Sequence, residues 1–295
     1  MSVAVAVRPE PADPSPTTPR WFLWLQAALV CGLLVLIYHG IVRSLVRDWR
    51  EDPNFSHGFF VPLFSAFVVW ERRQRLWQMV ARPAAGMGLL IMAGALAVLL
   101  VGVLGAELFL SRTSMILLLT GMVVYYLGWA HLRAVAFPLA FLLFMVPLPS
   151  IVLNEITFPL QFLASGLASS LLPWIGVPVL REGNVIKLAA MSLEVAEACS
   201  GIRSLTTLIV LAIIYGHVME PRRWARMVLI AAAVPIAVIA NALRILGTGA
   251  CVQYWDPEKA EGFFHIFSGW IVFMVSVALL LAIQTSLKFI RPRRT

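Results

Sequence analysis

The segment Glu197-Ala198-Cys199-Ser200-Gly201-Ile202-Arg203-Ser204 stands directly before an apolar run. A thiol at a helix N-terminus meets unpaired backbone amides and the positive end of the helix dipole, and both favour the thiolate. Arg203, four residues on, falls on the same helical face and adds a cation beside the thiol. That pattern suits an activated nucleophile; the alternative is a packed cysteine with Arg203 snorkelling to an interface. Asn241-Ala242-Leu243-Arg244 lies in a second apolar run. An arginine there is costly unless it is paired or faces a polar cavity, and its donor fork suits a carboxylate or a developing oxyanion. Asn241 is one turn earlier on nearly the same face.

His265, at the end of Glu261-Gly262-Phe263-Phe264-His265, opens a third apolar run. An imidazole is the natural base for a thiol nucleophile, although a lone histidine among aromatics equally fits a packed or interfacial residue. His57, in Asn54-Phe55-Ser56-His57-Gly58, opens a fourth run and is a supporting or substrate-positioning candidate. The plainer reading of that segment is a helix start with Ser56 near its cap. Cys251 is a competing nucleophile without an adjacent cation, and Cys31 sits inside an apolar run as packing. No pair of cysteines has redox or metal spacing, no His/Cys/Asp set resembles a zinc site, and no glycine-rich phosphate loop occurs. No cofactor is expected.

The elements that must position these groups are membrane helices. The chain is 60% hydrophobic and 13% charged, about half the charged fraction of a soluble protein. Apolar runs long enough to cross a bilayer core recur from residue 21 onward. They predict about eight spans near 21–42, 56–70, 86–105, 109–129, 132–148, 202–219, 226–247 and 265–287. Residues 1–20, rich in Pro, Ala and Thr, read as a disordered tail, 21–290 as a single transmembrane domain and 291–295 as a basic tail. The first run is too long for a signal-peptide core and reads as a retained helix.

The net charge of +8 comes from short basic clusters between apolar runs. Their distribution is that of topology signals, which sets aside nucleic acid as a partner and makes the lipid bilayer the expected one. Of the 23 basic residues, 14 fall on one side of the predicted spans. That side is the cytoplasm by the positive-inside rule, so both termini are cytoplasmic. Arg43, Arg47 and Arg50 in the first outer loop run against the rule, partly offset by Asp48, Glu51 and Asp52. Residues 150–179 are apolar but interrupted by Asn154, Glu155, Pro159, Pro173, Gly176 and Pro178. A span there would throw Arg222, Arg223 and Arg226 outside, so a re-entrant or interfacial segment on the outer side is expected. The stretch 179–195 reads as a polar outer loop or short hairpin leading to Cys199. Cys199, Arg203, Arg244 and His265, from three helices, then share the outer face. His131 and His217 fall at the cytoplasmic ends.

These blocks together resemble the exosortase/archaeosortase family. The Cys199 segment, Asn241-Ala242-Leu243-Arg244-Ile245 and His265 are similar to its three motif blocks. Asn54-Phe55-Ser56-His57-Gly58-Phe59-Phe60-Val61-Pro62 and Phe144-Met145-Val146-Pro147-Leu148-Pro149 resemble two flanking blocks. The resemblance implies an eight-helix enzyme of the bacterial inner membrane, working at the periplasmic face. It implies a cysteine-type peptidase or transpeptidase with Cys199 as nucleophile, Arg244 as oxyanion stabiliser and His265 as base. Arg203 is then supportive. The implied substrates carry a C-terminal Pro-Glu-Pro motif, a transmembrane helix and a basic tail, and the acceptor is unknown. Two other classes stand beside it: a transporter for exopolysaccharide precursors with Arg244 as an anion site, and a membrane acyltransferase with His265 as base.

Overall fold

The computed structural model describes residues 20–188, 192–194, 201–254 and 263–289. Its helices are α1 (Arg20–Glu51), α2 (Phe60–Glu71), α3 (Arg73–Gln78), α4 (Ala85–Leu104), α5 (Leu108–Tyr126), α6 (Trp129–Phe141), α7 (Ser150–Leu171), α8 (Gly201–Met219), α9 (Arg223–Tyr254) and α10 (Phe263–Phe289). Between α7 and α8 the chain forms an antiparallel sheet of β1 (Leu180–Glu182), β2 (Val185–Lys187) and β3 (Ser192–Glu194). Among the described residues, 6 helices are long and apolar enough to cross a membrane, and Trp129–Met145 and Ser204–Met219 are shorter apolar helices. The protein is an all-α polytopic membrane protein. It divides into the units Met1–Ser44 and Leu45–Thr295. In the first, residues 20–44 are continuous helix. The expected tails 1–20 and 291–295 lie outside the described residues, except that Arg20 begins α1.

Where the sequence places a loop after residue 42, α1 instead continues to Glu51. Leu45 and Trp49, one turn apart, are both buried, so their burial carries the helix past the basic residues. Asp48 pairs with the buried Arg112 of α5 at 2.6 Å. Asp52 then caps a 3₁₀ turn, Pro53–Phe59, by accepting from the Asn54 amide at 2.8 Å, with Pro53 in the first turn. Proline suits that place because its missing N–H is not needed there. This turn occupies the start of the expected 56–70 span, leaving α2 at 12 residues. Helices α4 and α5 pack as a hairpin whose backbones approach closely at Gly88 and Gly121, where a Cβ would meet Tyr125 and Met92. Small residues permit that approach in membrane bundles.

One end of the Leu45–Thr295 unit gathers basic groups. Pro138 lies inside α6 and cannot donate to the carbonyl of residue 134. Arg72 Nη1 donates to that Ala134 carbonyl at 3.0 Å. His217, near the end of α8, stacks on Phe137 with ring centroids 4.4 Å apart. Arg226 Nε donates to the Glu220 carbonyl at 2.6 Å, and Arg222 Nη1 to the Leu287 carbonyl at 3.4 Å. The ends of α2, α8 and α10 and the starts of α6 and α9 therefore meet there. At the opposite end α6 tightens into a 3₁₀ turn, Leu142–Met145, and Pro147 and Pro149 stop it. Its freed carbonyls find donors across the bundle. Trp49 Nε1 donates to Met145 O at 2.9 Å, and His57 Nε2 to Phe144 O at 3.2 Å. A Cβ at Gly58 would overlap the Trp49 indole, so only glycine lets the turn close on it.

The segment from Ser150, expected as a re-entrant or interfacial stretch, is a continuous helix of 22 residues despite its prolines. Pro159 is accommodated inside it. Proline's φ is compatible with a helix, and the loss is one backbone bond and some bending. Length and hydropathy alone would let Ser150–Ile175 cross a membrane. Its contacts run otherwise. Thr157 and Leu160 lie with Leu205 and Ala237. Ala164, Ala168 and Leu172 cluster with Ala242 and Ile245, and the Ile175 carbonyl accepts from Tyr254 Oη at 2.5 Å. The two series rise together, so α7 runs alongside the second half of α9, away from the basic end. It covers α9 beyond the expected 226–247 span, and α9 reaches 32 residues.

The Asp48–Arg112 pair gives a direct test. The two side chains are 28% and 2% exposed. Removing one partner of a buried pair leaves an uncompensated charge, at a cost of about 3–5 kcal/mol. Asp48→Asn or Arg112→Met alone is expected to lower the unfolding midpoint of detergent-solubilised protein strongly. The double variant Asp48→Leu/Arg112→Met should recover most of it. Additive losses in the double variant would contradict a coupled pair.

Candidate active site

The chain enters the expected nucleophile segment from the sheet. Gly183, at φ +65°, and Asn184 form the two-residue turn between β1 and β2, and glycine supplies the positive φ that such a hairpin turn needs. Sheet and α7 are tied by Arg181. Its Nε donates to the Gly183 carbonyl at 2.8 Å and its Nη2 to the Phe162 carbonyl at 2.9 Å. Its guanidinium also stands 4.1 Å from the Phe162 ring centroid. Ile186 of β2 is fully buried with Ala242 and Ile245 of α9. The hairpin anticipated in the sequence is therefore present as a meander seated on α7 and α9, and β3 ends five residues before position 199.

Arg244 is half-buried on α9, and its guanidinium lies against Gly269 of α10. A Cβ at 269 would stand 3.5 Å from Nη2 and 3.6 Å from Cζ. Position 265 precedes 269 by one helical turn of α10. Arg223 to Arg244 is about 31 Å of helix at 1.5 Å per residue, close to the thickness of a bilayer core. Gly269 to Leu287 gives about 27 Å by the same rise. Arg244 thus stands roughly one membrane thickness from the basic end. Position 203 is in the first turn of α8, and α8 packs on the 53–59 turn. Cys199 lies outside the described residues, as do the side chains of Arg203 and His265.

His57 is buried, and a carbonyl can only accept, so its Nε2 carries the proton given to Phe144 O. That bond ties the 53–59 turn to the end of α6, a structural role on which the approach of α8 depends. Asn241 is 6% exposed and lines a cleft with Thr157 and Gln161 of α7. Those two were not singled out from sequence. The available signal was the polar spacing Thr157, Gln161, Ser165, one residue per turn on an apolar helix. Cys251 is buried beside Val252 and Leu188, which fits packing. Among the described residues no group of three His, Cys, Asp or Glu could hold a metal.

The arrangement offers a cation against α10 and, one turn away on α9, a carboxamide toward α7 and α8, at the end away from the basic clusters. A guanidinium so placed can stabilise an anion or an oxyanion. Arg181 is the tie whose loss should be felt upstream of position 199. Arg181→Ala is expected to accelerate limited proteolysis within residues 183–200 several-fold, and Arg181→Lys to rescue it poorly, because an ammonium lacks the planar fork. Unchanged cleavage rates in both would contradict the tie.

Comparison with known proteins agrees with this architecture. No curated protein and no solved structure matches the chain. The family model described as transmembrane exosortase matches residues 49–282. That range begins at Trp49, takes in the 53–59 turn, the meander and Arg244, and ends within α10. It covers most of the chain, and the protein therefore belongs to the transmembrane exosortase family.

Proposed function

We propose that this protein is a cysteine-type peptidase or transpeptidase of the inner membrane. It cleaves C-terminal sorting signals of exported proteins at the periplasmic face. Family membership makes it a membrane sorting enzyme. The observation that carries the finer reading is the seat of the Arg244 guanidinium on Gly269, one turn from position 265, at the end opposite the basic clusters. With the basic end in the cytoplasm, by the positive-inside rule, that seat faces the periplasm. This reading gives α7 no crossing of its own and puts both termini in the cytoplasm.

The chemistry assigns three roles. His265 takes the proton of Cys199, and the thiolate attacks the carbonyl carbon beside the Pro-Glu-Pro motif. Arg244 holds the oxyanion of the tetrahedral intermediate by charge-assisted hydrogen bonds. Collapse breaks the C–N bond, the imidazolium protonates the leaving amine, and a thioester remains on Cys199. Water, or the amine of an unidentified acceptor, then displaces the thiol. Asn241 and Arg203 support the site, and the anchored substrate helix presents its cut at this face.

Distinct outcomes are expected from variants co-expressed with a tagged substrate bearing such a tail. Cys199→Ser and Cys199→Ala should each abolish processing on immunoblots; full processing by both ends the thiol reading. Arg244→Lys should lose about 10²-fold or more, the scale of a lost oxyanion donor. Gly269→Ala should be tolerated, since its Cβ makes ordinary contact with Arg244, whereas Gly269→Leu should displace the guanidinium and cost a comparable factor. Sidedness is checked separately in a variant with Cys31 and Cys251 replaced. A membrane-impermeant thiol reagent should label Cys199 in spheroplasts, and labelling only after lysis would invert the topology.

A further inference from the structure

The chain between α2 and α4 is a strap tied at both ends. At its start Arg72 Nη1 donates to the Ala134 carbonyl of α6 at 3.0 Å. At its end the Arg82 and Ala84 amides donate to the carbonyls of Leu127 and Val124 at 3.3 and 3.2 Å, where α5 turns into α6. A Cβ on Gly128 would overlap the Arg82 carbonyl, so glycine alone permits this approach. Both ties are at the basic end of the bundle, and they hold α3 and residues 79–81 at that level.

The strap presents apolar surface that water does not suit. Trp77 is 87% and Val80 76% exposed. On α3, Leu76 and Trp77 occupy one side and Arg75 and Gln78 the other, by helical spacing. Leu76 is half-buried against the protein, while Trp77 stands clear of it. The exposed face runs on into the bilayer along α2, where Leu63, Phe67 and Trp70 are exposed at spacings of about one turn.

Charge gathers at the rim of this face. The Arg73 guanidinium lies 4.2 Å from the Trp70 ring centroid, and its Nη1 donates to the Trp70 carbonyl at 2.9 Å. That stack seats a cation beside the indole. Arg75 and Arg82 are exposed as well. Residues 70–84 hold four arginines against one acid, Glu71. Indoles favour the headgroup level of a membrane, and a guanidinium fork matches a phosphate. Anionic headgroups add long-range attraction for such a basic segment.

We propose that residues 70–82 form a binding site for anionic phospholipid. Trp77 and Val80 enter the boundary between headgroups and acyl chains of the cytoplasmic leaflet, and Arg73 and Arg75 hold headgroup phosphates. The leaflet follows from the topology given above; the site itself does not depend on the peptidase reading. An acidic protein would match the arginines, but the apolar face is continuous with α2, which lipid covers.

The test uses full-length protein. Trp77→Cys, in a background with Cys31, Cys199 and Cys251 replaced, is labelled with an environment-sensitive fluorophore. In nanodiscs of phosphatidylcholine and phosphatidylglycerol, lipid spin-labelled just below the headgroup should quench it. Quenching by aqueous iodide instead would place the strap in water and sink the proposal. Native mass spectrometry of detergent-solubilised protein then reads the headgroup. Arg73→Gln and Arg75→Gln should each weaken phosphatidylglycerol binding about fivefold, the worth of one basic residue at a charged surface. Phosphatidylcholine binding should be unchanged. Arg223→Gln, at the same end on α9, should weaken phosphatidylglycerol binding less than twofold. Equal losses from Arg223→Gln and Arg75→Gln would show a diffuse field and overturn the site. Displacement of the lipid by excess soluble glycerol phosphate would show a free-anion site and overturn the lipid assignment. The fluorophore measurement keeps both arginines and stands even where their variants fold poorly.

Discussion

A carbonyl released from a helix inside an apolar bundle must find a donor within the protein, and the architecture follows from how this chain meets that demand. Pro138 leaves Ala134 O without its helical partner, and Arg72 supplies one from α2. The stop imposed by Pro147 and Pro149 frees the carbonyls of Phe144 and Met145, and His57 and Trp49 supply donors from residues some 90 positions away in the chain. At the far end of α7, Tyr254 does the same for Ile175. In lipid an unsatisfied carbonyl costs several kcal/mol, roughly the margin of stability of a domain. These few bonds therefore choose which helix ends meet. They place the 53–59 turn against α6 and α8, and the second half of α9 against α7.

The same economy of polar contacts separates the two ends of the bundle. Arginines at one end bind carbonyls and a neighbouring turn, and they anchor α2, α6, α8, α9 and α10 at a common level. The other end collects groups suited to reaction and recognition: the Arg244 guanidinium against Gly269, the buried amides of Asn241 and Gln161, and a meander pinned by Arg181 that delivers the chain toward Cys199. Helix α7 makes this end deeper than a simple bundle would, by extending alongside α9. A membrane enzyme acting on an anchored substrate needs such a place, part apolar and part polar, at one face only.

Much of this was legible locally. Hydropathy gave the helices, and the basic clusters marked the shared end, because both signals are written in short stretches. The blocks 54–62 and 144–149 turn out to be the two sides of one junction, joined by His57 and Phe144. Their appearance as separate motifs reflects a contact that no local pattern encodes. Helix α7 reads as interrupted in the sequence because Pro159 and Pro173 are breakers by local rule, while its packing partners lie about 80 residues on. Arg112 passed unremarked inside an apolar run. Its counter-charge Asp48 reads as part of a loop in the sequence, because the burial of Leu45 and Trp49 that keeps α1 helical is a tertiary effect. Thr157 and Gln161 show only as a faint spacing, and their meaning depends on Asn241 across the cleft.

The central claim is that a thioester forms on Cys199. The most direct measurement is mass spectrometry of the Arg244-intact enzyme quenched in acid during turnover of a sorting-tail substrate. The account predicts a conjugate between the N-terminal portion of the substrate and a peptide containing Cys199, released by neutral hydroxylamine as the hydroxamate. Turnover with no such conjugate, or with the adduct on Cys251 or on a hydroxyl side chain, would contradict it.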